Sequence, residues 1–270
     1  MTSMGNVPEK LTALITGASS GLGESIAKNC AARGFSLILV SENKRELNRV
    51  REEIIKKFSC SVIIVTIDLF KANSAQRLFS ICQKKKLAVD LLANCAGIFL
   101  NIEREMREIG CIDNILHLHI LSVTKLCFLF GRNMIKRKRG YILNVSSIAA
   151  RFADPASLTY GPTKRYILSF SEALHSEWKE HNIKVTCLTP GGIQTNFFEA
   201  NKVFIPPIIK ASLITPEKCA QIGLTALFRG KATVTPGIAG KIQSIFLRII
   251  SRPITYNMIK NSYFSMKNKS

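Results

Sequence analysis

The chain has 270 residues and 30.0 kDa, a length that one α/β domain can fill, since such domains run to roughly 250 residues. With 47% hydrophobic and 21% charged residues, the composition excludes a disordered chain. The 38 Lys and Arg against 18 Asp and Glu leave a net charge of +20, which suits nucleic acid, an anionic membrane surface or an acidic ligand, and equally a Lys-rich solvated surface. The eight cysteines are scattered without a C-x-x-C pair, and the opening MTSMGNVPEK holds no apolar stretch of the signal-peptide type. Both features lead us to expect reduced thiols in a cytoplasmic setting. No uninterrupted apolar run approaches the ~20 residues that span a bilayer.

Apolar runs alternate with amphipathic patterns from the start. Leu11 to Thr16 predicts a buried strand and Gly21 to Arg33 the helix after it. Phe35 to Val40 predicts the second strand, followed by a helix from Lys44 to Phe58, charged on one face and apolar on the other. Strand signals recur at Val62 to Ile67, Val89 to Ala93, Tyr141 to Val145 and Lys184 to Leu188, with helical patterns between them, notably Asp113 to Arg137 and Thr159 to Glu180. Short apolar strands separated by helices imply parallel pairing through right-handed crossovers, with both sheet faces covered. The expected fold is α/β: a single Rossmann-type doubly wound parallel sheet of about seven strands. No linker or repeat divides the chain, so the expectation is one domain over 1–270, with a core at 8–236 and a basic extension at 237–270. No Asp or Glu follows Glu217, and Ile238, Ile242, Ile245, Phe246, Ile249 and Ile250 fall at helical spacing among Lys241, Arg248 and Arg252. Such a helix can pack on its own sheet or on a second subunit, or lie on anionic lipid.

Between the first strand and first helix stands Thr16-Gly17-Ala18-Ser19-Ser20-Gly21-Leu22-Gly23. Glycines there permit a tight turn and close backbone approach to a pyrophosphate, which the helix N-terminus receives with free N–H groups. The T-G-x-x-x-G-x-G spacing resembles that of the short-chain dehydrogenase/reductase family. Further motifs follow in the family's order: Asp68-Leu69 after the third strand, Asn94-Cys95-Ala96-Gly97 after the fourth, Asn144-Val145-Ser146-Ser147 ending the fifth, then Tyr160-Gly161-Pro162-Thr163-Lys164 and Pro190-Gly191-Gly192-Ile193-Gln194-Thr195. The resemblance covers roughly residues 8 to 236, and the acid-free C-terminal section is similar to that of uncharacterised bacterial members.

The resemblance implies an NAD(P)-dependent oxidoreductase that interconverts a carbonyl and a secondary alcohol. Its cofactor-binding set would be Thr16, Gly17, Ser19, Ser20, Gly21, Leu22, Gly23, Glu42, Asp68, Leu69, Asn94, Ala96, Gly97, Tyr160, Lys164, Pro190, Gly191, Ile193 and Thr195. Its catalytic residues would be Ser147, Tyr160 and Lys164. A carbonyl that accepts hydride on carbon needs a proton on oxygen, which a phenol can supply. Lys164, one helical turn on, presents a cation expected to lower the Tyr160 pKa. The family's fourth catalytic residue is an Asn, and the corresponding position here is His119, whose imidazole can serve a proton relay or simply pack. No metal-ligand cluster accompanies His117 and His119. For the cofactor, NAD or NADP, Glu42 favours NAD, whereas Lys44 and Arg45 are placed to reach a 2′-phosphate. The apolar segment from Phe197 to Ile209 suits a hydrophobic substrate or a subunit contact.

The expected partners are a small carbonyl or alcohol substrate and further copies in a homodimer or homotetramer. Peripheral membrane contact would run through the basic C-terminal stretch. No nucleic-acid motif accompanies the charge. The competing reading is a catalytically silent nucleotide-binding regulator, or a protein that binds anionic surfaces, on the same fold.

Overall fold

The computed structural model describes residues 11–154, 157–195 and 213–237, together with Gly240, Ile254, Tyr256, Asn257 and Lys260. The Phe197 to Ile209 segment and nearly all of the basic C-terminal stretch lie outside the described residues. Seven parallel strands form one sheet in the order β3-β2-β1-β4-β5-β6-β7. They are β1 (Thr12–Thr16), β2 (Ser36–Ser41), β3 (Val62–Thr66), β4 (Leu91–Asn94), β5 (Gly140–Val145), β6 (Ile183–Leu188) and β7 (Thr233–Val234). The central strands are buried on both faces, as their unbroken apolar runs require: Leu14, Ile15, Ile38, Leu39, Leu91 and Leu92 are all without solvent contact. In-register pairing runs from Leu14 to Ile38 on one side and to Leu92 on the other.

Helices α1 (Gly21–Ala31), α2 (Lys44–Lys57) and α7 (Pro216–Phe228) cover one face. Ile26, Cys30, Val50, Ile54, Leu224 and Leu227 pack there against Ala13, Ile15, Leu37 and Leu39. The other face is covered by α3 (Ser74–Lys84), by a long helix α5 (Ile109–Arg137) and by α6 (Tyr160–Trp178), which bring Leu78, Leu126, Phe130, Met134 and Trp178 against Leu14, Leu92 and Val185. A short helix α4 (Ile102–Arg107) lies between β4 and α5. Local chemistry sets several ends. Asn43 caps α2 by accepting from the Glu46 N–H at 3.1 Å, and Thr215 does the same for Lys218 at 3.3 Å before Pro216.

Most boundaries shift by one or two residues from the sequence reading, and three shifts bear on the site. The fourth strand starts at Leu91 rather than Val89, although the Asp90 N–H still donates to the Thr12 carbonyl and its carbonyl accepts the Tyr141 N–H, both at 2.8 Å. Helix α5 begins at Ile109, ahead of Asp113, and passes through a π-helical turn at His117–Ser122. The helix from Tyr160 ends at Trp178 and tightens into a 3-10 turn over Lys179–His181. Among described residues, α5 is the one helix long and apolar enough to cross a membrane; half of its apolar window is buried inside the protein, where it packs on the sheet.

Candidate active site

Strand order reverses between β1 and β4, so the loops after their C-terminal ends splay apart and leave a crevice. Its volume is about 1060 Å³. All the predicted cofactor-binding residues except Thr16 and Asn94 line it, as do Ser147, Tyr160 and Lys164. The motifs, dispersed over 180 positions of sequence, meet because each follows the C-terminal end of a parallel strand or begins the helix beyond it.

The floor is the glycine loop. Gly17 adopts φ +66, and a Cβ at Gly23 would lie 2.1 Å from the Gly17 carbonyl oxygen, so the first turn of α1 seats directly on the end of β1. The Ser20 side chain makes no capping hydrogen bond, which leaves the leading N–H groups of α1 to the crevice. A pyrophosphate fits this uncapped end of a helix, and the residues present therefore suit a dinucleotide. Thr195 closes over the loop, since a Cβ at Gly21 would touch its methyl group at 3.2 Å.

Thr16 and Asn94 hold the frame from behind. The Thr16 hydroxyl accepts the Cys95 and Ala96 N–H groups at 3.0 and 3.1 Å, tying the end of β1 to the loop after β4. Asn94 is buried and donates to Asn144 at 2.8 Å, which in turn donates to Ser171 at 2.9 Å, so its side chain turns inward rather than into the crevice. Protein partners thus engage both side chains, and neither residue lines the crevice. The Asp68 carboxylate accepts the Phe70 N–H at 2.8 Å, and Ser122 donates to the Leu69 carbonyl at 2.9 Å.

At the other end, Tyr160 opens α6 and Lys164 follows one turn later. The Lys164 ammonium lies 5.5 Å from the centre of the Tyr160 ring and donates to the Val145 carbonyl at 3.2 Å. Only 5% of Lys164 is exposed, and burial pulls its pKa down to about 8 despite opposing influences from Cys95 and Cys187. Burial pushes the Tyr160 phenol up to about 12, outweighing the hydrogen bond with Ser147, while Asp154 adds to the rise. The sequence reading expected Lys164 to lower this pKa; in the folded chain desolvation prevails and the phenol stays protonated at neutral pH. Ser146 is structural, its hydroxyl donating to the Lys164 carbonyl at 2.6 Å.

His119 sits in the π-helical turn, fully buried beside this group. Its Nε2 accepts the Ile98 N–H at 3.2 Å, so Nδ1 carries the proton and donates to the Thr163 hydroxyl at 2.9 Å. Thr163 passes the chain on to the Tyr160 carbonyl at 2.8 Å. Burial, and then the Lys164 charge, hold the imidazole well below its usual pKa. It is neutral, with both nitrogens engaged by protein.

Sequence reasoning missed Glu105. This buried carboxylate on α4 accepts from the Ser157 hydroxyl at 2.9 Å, from the Leu158 and Thr159 N–H groups at 2.8 and 2.9 Å, and from the Thr159 hydroxyl. It therefore grips the three residues before Tyr160, and only the tertiary contact reveals it, because an acid in a charged segment reads as solvated. Arg49 was likewise unmarked; it reaches the glycine loop at the Ser19 carbonyl from the second turn of α2. Among described residues no group of His, Cys, Asp and Glu could hold a metal ion.

Residues 11–203 match the short chain dehydrogenase family. The chain is 28% identical over 265 residues to the very-long-chain 3-oxoacyl-CoA reductase of Mus musculus, covering 96% of this chain and 83% of that protein. It is 31% identical over 188 residues to the 17-beta-hydroxysteroid dehydrogenase type 3 of Homo sapiens, covering 68% and 59%. Among solved structures, a 7beta-hydroxysteroid dehydrogenase superposes with a TM-score of 0.84 at 21% identity over 93% of this chain and 96% of that one. A short-chain dehydrogenase from Sphingobium yanoikuyae in complex with NADPH gives 0.78 at 21% over 90% and 97%. These structures share the doubly wound fold. The chain belongs to the short chain dehydrogenase family and is an oxidoreductase that uses a nicotinamide dinucleotide to interconvert a carbonyl and an alcohol.

Proposed function

We propose that Tyr160 is the general acid and base of this reaction, acting with Ser147 and Lys164 on a hydrophobic carbonyl or secondary alcohol. The observation that carries the reading is their convergence at one end of the crevice, with a protonated phenol hydrogen-bonded to Ser147 and a cation over its ring. When bound, the dinucleotide supplies hydride to the substrate carbon or takes it back. In reduction, the Ser147 hydroxyl polarises the substrate oxygen and Tyr160 delivers its proton there. Lys164 stabilises the phenolate left behind. His119 positions rather than relays: passing a proton through it would first break its bond to Ile98 or to Thr163. Ile98, Phe99, Leu118 and Ile148 line the crevice near this group, which suits an apolar substrate. The names of the acyl-CoA and steroid relatives point the same way.

In this reading the chain is one nucleotide-binding domain followed by a basic extension, working in the cytoplasm or at a membrane surface. It pairs with further copies through the exposed apolar residues Leu121 and Phe128 of α5 and Tyr166 of α6.

The test is thermal unfolding with NADH and NADPH, followed by reduction of bulky ketones by wild type and Tyr160→Phe. Nucleotide at 100 times its dissociation constant adds about 2.7 kcal/mol to the native state. The expected result is a nucleotide-dependent shift in both proteins and turnover only in wild type. Turnover retained by Tyr160→Phe would overturn the assignment.

A further inference from the structure

The sheet edge opposite the crevice gathers the helix ends that lead into β4 and β5. The end of α3 carries Lys84, Lys85 and Lys86, and the end of α5 carries Lys136, Arg137, Lys138 and Arg139; all are exposed except the half-buried Arg139. The two helices lie side by side, with the Phe79 and Phe130 rings edge-on at 5.2 Å, and β4 pairs with β5. No acid stands between Asp68 and Asp90 or between Asp113 and Asp154. Asp90 itself is buried and is held by the Thr12 N–H, by Arg139 at 3.3 Å and by Arg137 at 3.8 Å. Among described residues no carboxylate pairs with Lys84, Lys85, Lys86, Lys136 or Lys138. On the flank, at the end of α6, the exposed Lys179 stands with Glu177 and Glu180.

Two of these lysines occupy backbone that favours glycine. Helices α1 and α7 end through Gly34 (φ +82) and Gly230 (φ +67), and the next N–H reaches back to the last turn, Phe35 to the Cys30 carbonyl at 3.2 Å and Lys231 to the Ala226 carbonyl at 3.0 Å. Helices α3 and α5 close in the same way, Leu87 to Cys82 at 2.9 Å and Arg139 to Met134 at 3.2 Å, but through Lys86 (φ 54) and Lys138 (φ 50). A Cβ is disfavoured in that conformation. The same turn is thus built with glycine at two helices and with lysine at two others, and both lysines fall side by side on the one basic edge. The side chain, rather than the turn, accounts for lysine there.

We propose that this edge is a docking surface for an anionic lipid membrane. The proposal rests on the reading that the protein works at a membrane surface, and it moves the contact from the C-terminal stretch to the folded core. Helices α3 and α5 meet the edge end-on, so neither lies along it to enter a nucleic-acid groove. None of the exposed large apolar side chains among the described residues falls on these two turns, where it could stack on a base or insert into a bilayer. Long cations on one face suit a plane of anionic headgroups, held by charge alone. The crevice, at the opposite edge, then opens to water.

The experiment is sedimentation of the full chain with phosphatidylcholine vesicles, with and without about 30% phosphatidylserine, at about 50 and about 300 mM salt. Wild type is expected to bind only the anionic vesicles, and roughly tenfold more weakly at the higher salt. Each cation near such a surface tightens binding roughly fivefold, so Lys86→Gly/Lys138→Gly should bind about 25-fold more weakly. That variant should unfold at the same temperature or higher, because glycine relieves both turns. Lys86→Arg/Lys138→Arg, which keeps both charges, should bind as wild type does. Lys84→Gln/Lys85→Gln/Lys136→Gln leaves the turns untouched and should bind at least as weakly as the glycine variant, which covers the case of an unstable glycine variant. Lys241→Gln/Arg248→Gln/Arg252→Gln, in the C-terminal stretch, should lose less. Failure of wild type to bind anionic vesicles would overturn the membrane reading itself. Binding at wild-type strength by both edge variants, or a greater loss from the C-terminal variant, would overturn this edge as the contact. Tighter binding to a fluorescent DNA duplex than to the vesicles at equal salt would overturn lipid as the partner.

Discussion

The two ends of the crevice handle charge in opposite ways. At the adenosine end, Glu24, Lys28, Glu46, Arg49 and Glu53 form a partly exposed network in which each charge has at least one opposite partner. Glu24, Glu46 and Glu53 are held below the usual carboxylate range, with burial working against their Arg49 and Lys28 bonds at Glu24. At the nicotinamide end, Lys164, Tyr160 and His119 are packed together, with the Val145 carbonyl, the Ile98 N–H and the Thr163 hydroxyl as hydrogen-bond partners. There burial governs all three, and each is pushed toward its neutral form. Paired, solvated charge shapes which ligand binds and leaves protons where they are. Buried groups are the ones whose proton affinities desolvation resets.

This contrast can be broken at either end. The largest expected effect is at the floor shared by both: Gly23→Ala places a methyl group 2.1 Å from the Gly17 carbonyl, so the loop must shift. Nucleotide affinity should fall by more than 100-fold in a fluorescence titration, and unchanged affinity would show that the loop does not seat the ligand. His119→Ala removes the link between Ile98 and Thr163, and turnover should drop at least tenfold, with NADH affinity less affected. His119→Asn, which keeps an acceptor and a donor, should recover part of the loss; equal rates in wild type and His119→Ala would remove the residue from the machinery.

A pH–rate profile probes the buried end directly. The Lys164 pKa is depressed to about 8, so its cation is present below that value and lost as pH rises through it. The phenol, at about 12, remains a proton donor throughout. Reductive turnover should therefore fall above about pH 8 by up to roughly tenfold per unit, and a flat profile to pH 10 would contradict a cationic role for Lys164. The smallest effect belongs to Glu105. Glu105→Gln replaces one acceptor oxygen with a donor facing N–H groups and should cost about 1–3 kcal/mol of stability by denaturant unfolding. A few-fold loss in kcat should accompany it in protein that is still folded. An unchanged unfolding midpoint would mean the segment before Tyr160 is held by other contacts.

Much of this site is legible along the chain because its parts are local. The glycine loop, Asp68, Ser147, Tyr160, Lys164 and Thr195 each follow a strand signal or begin a helix signal, and parallel strands of a doubly wound sheet deliver such positions to one edge. Asn94 and Thr16 show where that reasoning stops. Both stand at strand ends like their neighbours, yet their side chains face the sheet interior and are claimed there by Asn144 and by the Cys95 and Ala96 amides. Position along a strand places a residue at the edge; which way the last side chain turns depends on partners far away in sequence.

The sequence by itself determined the parallel α/β architecture, the order of the motifs and the chemistry they carry, because apolar periodicity and glycine spacing act over a few residues. Tertiary structure alone decided the state of the groups. It buried Tyr160 and Lys164 enough for desolvation to move both pKa values, engaged both nitrogens of His119, and spent the donors of Arg49 on carboxylates from two helices and on the Ser19 carbonyl. Burial and charge pairing are sums over neighbours that meet only when the chain folds, and no window of sequence contains them.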